Sequence, residues 1–365
     1  MENRFLCLVI CICCGLVSAR SQEKVPLDGN SPKIQQDKNA LIDKGTQPKE
    51  KGFRLNMILS QISYQSILWH DPDVKDFTAK VIMATSKLYK DKLGIQALEL
   101  MTAYLPREAR KRAEALDSPG RALYMDELAI ALRPLIDAEA KEKMRIAALC
   151  VNEADLPPIG VNDQSVEMAY KNRIDCGIMM GCQSVIVRVD FSAWTKGSDE
   201  RVGLIGCVRR LCEHAKQAGQ RNPRLCWILI EPINKLGLDL KAAQEIVMEL
   251  RKPAGDKIDN IGIALNLSAI PDEEGKVWLN LRPIVRTVVI DMYRFEESGN
   301  HGKREINRDY SQILKNVARQ SPFQGSNDPF KGEVIVRYLG SEHFDCGIEQ
   351  SQKVISSITS GVVSR

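Results

Sequence analysis

Several charged or amide side chains stand where an apolar run ends, which is where a folded chain can present chemistry. CWILIE carries five apolar residues, Cys226 to Ile230, straight into the carboxylate of Glu231. The pattern recurs: IGIALN ends in Asn266, RTVVID in Asp291, and EVIVRY holds Arg337 beside its end. Earlier in the chain, IQALEL carries Glu99 and SVIVRVD places Arg188 just before Asp190. The oxygen groups of Glu231, Asn266 and Asp291 suit a hard divalent ion such as Mg²⁺ or Mn²⁺. They suit the hydroxyls of a sugar equally well. Asp190 or Glu231 together with Asp291 is also the kind of carboxylate pair that a glycoside hydrolase uses. His343, in YLGSEHFDCG after the last run, is the histidine placed for general acid/base work. The plainer reading of any one of these residues is that the chain is leaving its core there.

The elements that would gather these groups are legible as a repeat. Short β-type runs occur at Arg54–Leu59, Ile95–Leu100, Arg145–Val151, Ser184–Val189, Cys226–Glu231, Ile261–Asn266, Arg286–Asp291 and Glu333–Tyr338. Amphipathic stretches lie between them, among them MDELAIALRPLIDAEAKEKM, QSVEMAYKNRIDCGIMMG, DERVGLIGCVRRLCEHAKQAG and DLKAAQEIVMELRK. Two more, DVKDFTAKVIMATSKLYKDKLG and NRDYSQILKNVARQ, follow the first and seventh runs. Continuous apolar strands alternating with helices predict a parallel sheet covered by helices. Eight such units match a (β/α)8 TIM barrel. An open doubly wound sheet is the competitor; it calls for a glycine-rich turn after an early strand, and LSQIS follows the first run instead. In a barrel the C-terminal strand ends form one rim, so Glu231 is expected there, pointing into a shared pocket.

The rest of the chain bounds the setting. Residues 1–19 read as a secretory signal: Arg4 precedes the apolar LCLVICICCGLVSA, and Val17-Ser18-Ala19 puts small residues before a cleavage point. The alternative is an uncleaved membrane anchor, for which the run is short. A secreted or periplasmic protein with no membrane attachment after cleavage is therefore expected. Residues 20–52 are polar and rich in Lys, Gln, Asp, Pro and Gly, the composition of a disordered linker. Residues 53–361 are then the folded domain. A formal net charge of +4 on 365 residues gives no nucleic-acid footprint. Beyond the signal seven cysteines remain, an odd and scattered set with no CxxC pair, which is neither a disulfide framework nor a zinc site.

FRLNMILSQISYQSI, VKDFTAKV and LGIQALELMTAYLP together resemble the opening of the sugar phosphate isomerase/epimerase family, the xylose isomerase-like barrels. The likeness continues through IDCGIMMGCQSVIVRVD, LCEHAKQAGQRNPRLCWILIEPIN and INRDYSQILKNV, and ends at PFKGEVIVRYLGSEHFDCGIEQSQKVI. It spans Phe53 to about Ile358. The resemblance implies a TIM barrel that isomerises or epimerises sugars at a divalent ion held by two glutamates, an aspartate and a histidine. Glu231 matches the first glutamate. Asn266 stands where the aspartate is expected, Asp291 in the region of the histidine, and Arg337 where the last glutamate should be. Glu231, Asn266 and Asp291 would thus be degenerate metal positions, with no cofactor or only a weakly bound Mg²⁺ or Mn²⁺. A guanidinium cannot ligate a metal, but beside a carboxylate it lowers that group's pKa. Arg337 is accordingly expected to bridge Glu231 and Asp291 in the ion's electrostatic role. Glu99 matches the second-strand glutamate, either bonding a ligand hydroxyl or forming a structural salt bridge. Arg188 would bind a carboxylate or phosphate, or else pair with Asp190 or Glu231. The functional readings are an exported sugar isomerase or epimerase with Glu231, Asp291 and Arg337 in its machinery, a non-catalytic relative binding a sugar or metabolite, and a glycoside hydrolase. Glu99, Arg188, Asp190, Asn266 and His343 are the candidate substrate contacts.

Overall fold

Each apolar run becomes a strand, and the described side chains of the second to the eighth are buried on both faces, one toward the axis of a barrel and the other toward helices. The computed structural model describes residues 56–60, 91, 94–110, 121–153, 155–161, 163–195, 197–219, 226–232, 236–252, 257–267, 283–291 and 333–337. The expected signal (1–19) and linker (20–52), His343, and the helices expected after the first and seventh runs lie outside the described residues, apart from Asp91 and Gly94 at the end of the first of those helices. The strands are β1 (Asn56–Ser60), β2 (Ala97–Met101), β3 (Arg145–Cys150), β4 (Ser184–Val187), β5 (Trp227–Ile230), β6 (Ile261–Asn266), β7 (Val285–Asp291) and β8 (Glu333–Arg337). They pair in chain order, every pair parallel, and β8 returns to β1 through Asn56↔Glu333 to Leu59↔Val336. The barrel is closed. That closure sets the open doubly wound sheet aside.

The longer described helices are α1 (Arg121–Glu142), α2 (Gln164–Met179), α3 (Ser198–Gly219) and α4 (Leu236–Leu250). Helix α2 begins where the Asp163 side chain accepts from the Val166 N–H at 3.0 Å. It ends before Gly181, whose φ of +75° suits a residue without a Cβ.

Strand periodicity separates two buried sets. Ala97, Met101, Ala148, Cys150, Ile186, Leu229, Ala264, Val289 and Ile335 fill the barrel axis, while the alternate residues pack outward against the helices. Two register shifts adjust the closure. Glu99 pairs Ala148 while Leu98 pairs Ile146, so Ala147 is the extra residue and joins the interior set. On the other side Ile263 pairs Val285 while Ala264 pairs Thr287, which makes Arg286 the extra residue. A Cβ at Gly262 would lie 2.8 Å from the Arg286 Cγ and 3.0 Å from the Ile284 carbonyl oxygen. Glycine there lets the Arg286 stem cross the sheet.

The layer under the helices is unusually polar. Arg173 grips Asp155 with Nε at 2.7 Å and Nη2 at 2.9 Å. Asn172 donates to the Ala109 carbonyl at 3.1 Å and to the Tyr124 hydroxyl at 2.9 Å. His214, although its sequence neighbours are charged, is buried and 2.9 Å from Asp175. The helical period explains the burial: Leu204, Cys207, Leu211 and His214 form one inward stripe of α3.

At the N-terminal end of the barrel, Glu333 is buried; among the described residues its Oε1 has no hydrogen-bond partner and lies 3.8 Å from the Arg145 Nη2. Burial pushes its carboxyl up to about 7, against a smaller opposing pull from Arg145. A carboxyl raised in the folded state penalises folding once it must ionise. Stability therefore falls as pH rises from the unfolded value near 4.5 through 7. Glu333→Gln should gain about 1–3 kcal/mol at pH 8 and almost nothing at pH 4, read from urea unfolding at the two pH values. An equal effect at both would show that ionisation of Glu333 is not the cause.

Candidate functional site

The same two-residue period that fills the axis delivers the polar groups to it. Glu99 lies between Ala97 and Met101; Glu231 stands two residues past Leu229, Asn266 two past Ala264, and Arg337 two past Ile335. All four are buried, and Glu99 and Glu231 are completely inaccessible. Glu231 had been expected on an open rim. It lies instead beneath the mouth, with its charge answered inside the barrel.

Arg337 is the centre of the cluster. Its Nε donates to Glu99 Oε2 at 3.0 Å and its Nη2 to Glu99 Oε1 at 2.6 Å. Its Nη1 and Nη2 also donate to Glu231 Oε1 and Oε2, at 2.6 and 3.1 Å. One planar guanidinium thus forks onto two carboxylates from strands on opposite sides of the barrel. Nη2 further approaches the Cys150 Sγ at 3.6 Å. Asn266 hydrogen-bonds Glu231 as well. Burial alone would push the Glu231 carboxyl up, but the charge and hydrogen bonds of Arg337, with smaller help from Arg188, hold it below the usual carboxylate range. Burial likewise works against the Arg337 charge, yet Glu231 and Glu99 keep it firmly protonated. Burial pushes the Cys150 thiol well up, so it stays neutral.

The partners of Arg337 differ in part from the sequence expectation. Glu231 is one of them, as expected, and Glu99 is a further one that was not expected. Asp291 is paired in register with Arg337 across β7 and β8; its side chain lies outside the described residues. The reason is geometric. The guanidinium of β8 reaches across the axis toward β2 and β5, which sequence adjacency does not reveal.

Above the cluster stand the residues that leave β3 and β4. Arg188 Nη1 pairs with Glu153 at 3.1 Å, not with Asp190 or Glu231. Its backbone carbonyl is held by the Tyr170 hydroxyl at 3.3 Å. Among the described residues the buried Arg188 Nε and Asn152 Oδ1 have no hydrogen-bond partner, and the Asn152 amide nitrogen meets only the Met101 sulfur, at 3.2 Å. Asp190 is exposed and its carboxylate accepts from the N–H and hydroxyl of Ser192, each at 2.9 Å, which starts the short helical turn Phe191–Thr195. Cys150 was not singled out from sequence as a site residue, whereas Asn152 stands among the polar groups just past a strand end. The parity of β3, running from Ala148 to Cys150 to Asn152, is the signal that points to them.

A divalent ion does not fit between the two glutamates. All four of their carboxylate oxygens are engaged by one guanidinium, and an ion placed among them would meet a fixed positive charge.

Several solved structures share this architecture. The chain superposes on D-allulose 3-epimerase from Methylomonas sp. with a TM-score of 0.52 and 13% identity, covering 84% of this chain and 98% of that one. The chain folds as a xylose isomerase-like barrel. A xylose isomerase domain protein from Planctomyces limnophilus matches at a TM-score of 0.50 and 12% identity over 87% of this chain and 100% of the other. The IOLI protein, whose structure holds a zinc atom, matches at 0.50 and 13% identity over 85% and 100%. No protein-family model matches the sequence, and no curated protein matches it either. At these identities the likeness concerns the xylose isomerase-like barrel itself. The charges inside that barrel are this chain's own.

Proposed function

We propose that this xylose isomerase-like barrel binds a small sugar or sugar derivative at its C-terminal mouth, with Arg337 in the place of a resident divalent ion. The observation that carries this reading is the fork of Arg337 onto Glu99 and Glu231. A general base must reach its proton and have a pKa near the working pH. Glu231 is inaccessible and held below the carboxylate range. Binding therefore fits the geometry better than metal-dependent isomerisation. A glycosidase pair is disfavoured on the same ground, since Asp190 faces solvent with local partners while Glu231 is buried.

Recognition at the mouth rests on two orphaned atoms. The Arg188 Nε offers a donor and the Asn152 Oδ1 an acceptor, a combination that a hydroxyl, or a carboxylate beside a hydroxyl, satisfies. The sugar class is supported by the name of the epimerase that shares the fold. Thermal unfolding against a panel of neutral sugars, polyols and sugar acids tests the proposal. At least one compound should raise the melting temperature saturably, with the effect lost in Arg188→Gln and no isomerised product by NMR. Turnover of a sugar, abolished by Glu231→Gln, would overturn the non-catalytic reading.

Export belongs to the same proposal, on the strength of Arg4 and the apolar run that follows it. An unphosphorylated ligand fits that location, because sugar phosphates are mostly cytosolic. N-terminal sequencing of the protein recovered from its native compartment should begin at Arg20; a chain beginning at Met1 in the cytosol counts against export.

A further inference from the structure

The opposite pole of the barrel holds an arrangement that the sugar mouth does not use. Trp227 opens β5, with its ring packed against the interior set. The Arg286 guanidinium carbon lies 4.2 Å from the centre of that ring, and that of Arg251 lies 6.0 Å from it. All three side chains are half-buried, so the place is reachable from solvent. Arg251 is committed: its Nη1 donates to the Pro283 carbonyl at 3.0 Å and its Nη2 to the Ile261 carbonyl. Arg286 is not. It forms no hydrogen bond or ion pair with any described residue, and its Nε is buried without a partner. The register shift between β6 and β7 and the missing Cβ of Gly262 are what put it there.

Two cations gathered over one aromatic ring, with no carboxylate of a described residue in ion-pair reach, is an unfavourable arrangement when nothing else is bound. Burial lowers the pKa of Arg251 to about 10, and the Arg286 charge adds to that, while Asp259 opposes it only in part. Burial also lowers that of Arg286. Stacking on Trp227 offsets some of the cost, but it leaves the in-plane N–H groups of Arg286 unanswered. Planar guanidinium donors match the oxygens of a phosphate.

We propose that this N-terminal mouth is an anion site that takes a phosphate group, free or carried on a small molecule. Arg286 supplies the in-plane donors, Arg251 supplies charge, and Trp227 forms the floor. The strand length separates it from Glu231 by roughly 13 Å, so it is a second site and does not depend on the sugar reading. Its position at the strands' N-terminal ends makes it an effector site or an anchor for an anionic partner group.

Thermal unfolding in sodium phosphate against sodium chloride at matched ionic strength and pH tests the assignment. The wild-type chain should be stabilised saturably by phosphate. Arg286→Gln should raise the half-saturating concentration at least tenfold, whereas Arg188→Gln, at the other mouth, should leave it within twofold. Identical melting in the two salts overturns the site, as does an Arg286→Gln titration that matches wild type. Loss of the phosphate effect in Arg188→Gln alone would move the anion to the sugar mouth and overturn it equally. Sodium acetate separates a carboxylate from a phosphate: stabilisation at lower acetate than phosphate concentration contradicts the phosphate class. Should Arg286→Gln fail to fold, Arg251→Gln serves in the same titration, with a weakening of at least fivefold expected and an unchanged curve overturning the proposal.

Discussion

Arg337→Met should destabilise the barrel by about 3–5 kcal/mol at neutral pH, because it leaves two buried carboxylates without their cation. The pH dependence should also reverse. In the wild-type chain Glu231 is held below its unfolded value, so its contribution is complete above about pH 4.5 and is lost as pH falls through the lower folded value. Without Arg337, burial acts unopposed on Glu231 and favours its neutral form. The variant then gains more stability than the wild type as pH falls from 8 toward 5, beyond the Glu333 contribution that both chains share. Denaturant unfolding at several pH values reads both effects. A companion variant sharpens the argument: replacing Glu99, Glu231 and Arg337 together by apolar residues of similar volume should be near neutral or stabilising, by about 1–4 kcal/mol. If the single and triple variants were equally damaged, side-chain packing rather than charge pairing would be what Arg337 supplies.

Arg337→Glu is expected to have the second large effect. It removes the fixed cation and places a third carboxylate beside Glu99 and Glu231, next to the Asn266 amide. The metal-free variant should fold poorly, because three acids would share one desolvated space. Mn²⁺ or Mg²⁺ should then rescue it, since oxygen ligands around an enclosed charge suit such ions. At an excess of about 100- to 1,000-fold over the dissociation constant the rescue amounts to about 2.7–4.1 kcal/mol. The wild-type chain should show no comparable shift. A variant indifferent to both ions would mean that Glu99 and Glu231 lack the geometry of an ion site even without Arg337.

The barrel was legible because its strands are continuous apolar runs whose spacing admits helices between them, and all eight closed in chain order. The cluster was half legible. Glu231, Asn266 and Arg337 announced themselves as polar groups ending apolar runs, and strand parity carried them to the axis. That Glu99 would partner Arg337 was not readable, because β2 and β8 are far apart in sequence and contact depends on how a long side chain crosses the barrel. Burial of Glu231 was missed for a related reason: a strand end was taken for a rim, although residues past β3 and β4 such as Val151 and Val189 are buried too. The burial of His214 follows from its helical spacing, three residues past Leu211 and seven past Cys207, and not from its charged sequence neighbours. The bulge that turns Arg286 onto Trp227 left no mark in the apolar pattern beyond Gly262.

The proposed binding role turns on a side-chain cation, fixed by two glutamates, acting in place of a bound ion. Equilibrium dialysis of the purified wild-type protein against Mn²⁺ probes this most directly. Uptake no tighter than the millimolar range, unchanged by Glu231→Gln, is the expected result; one ion per chain held at micromolar concentration and lost in Glu231→Gln would contradict it.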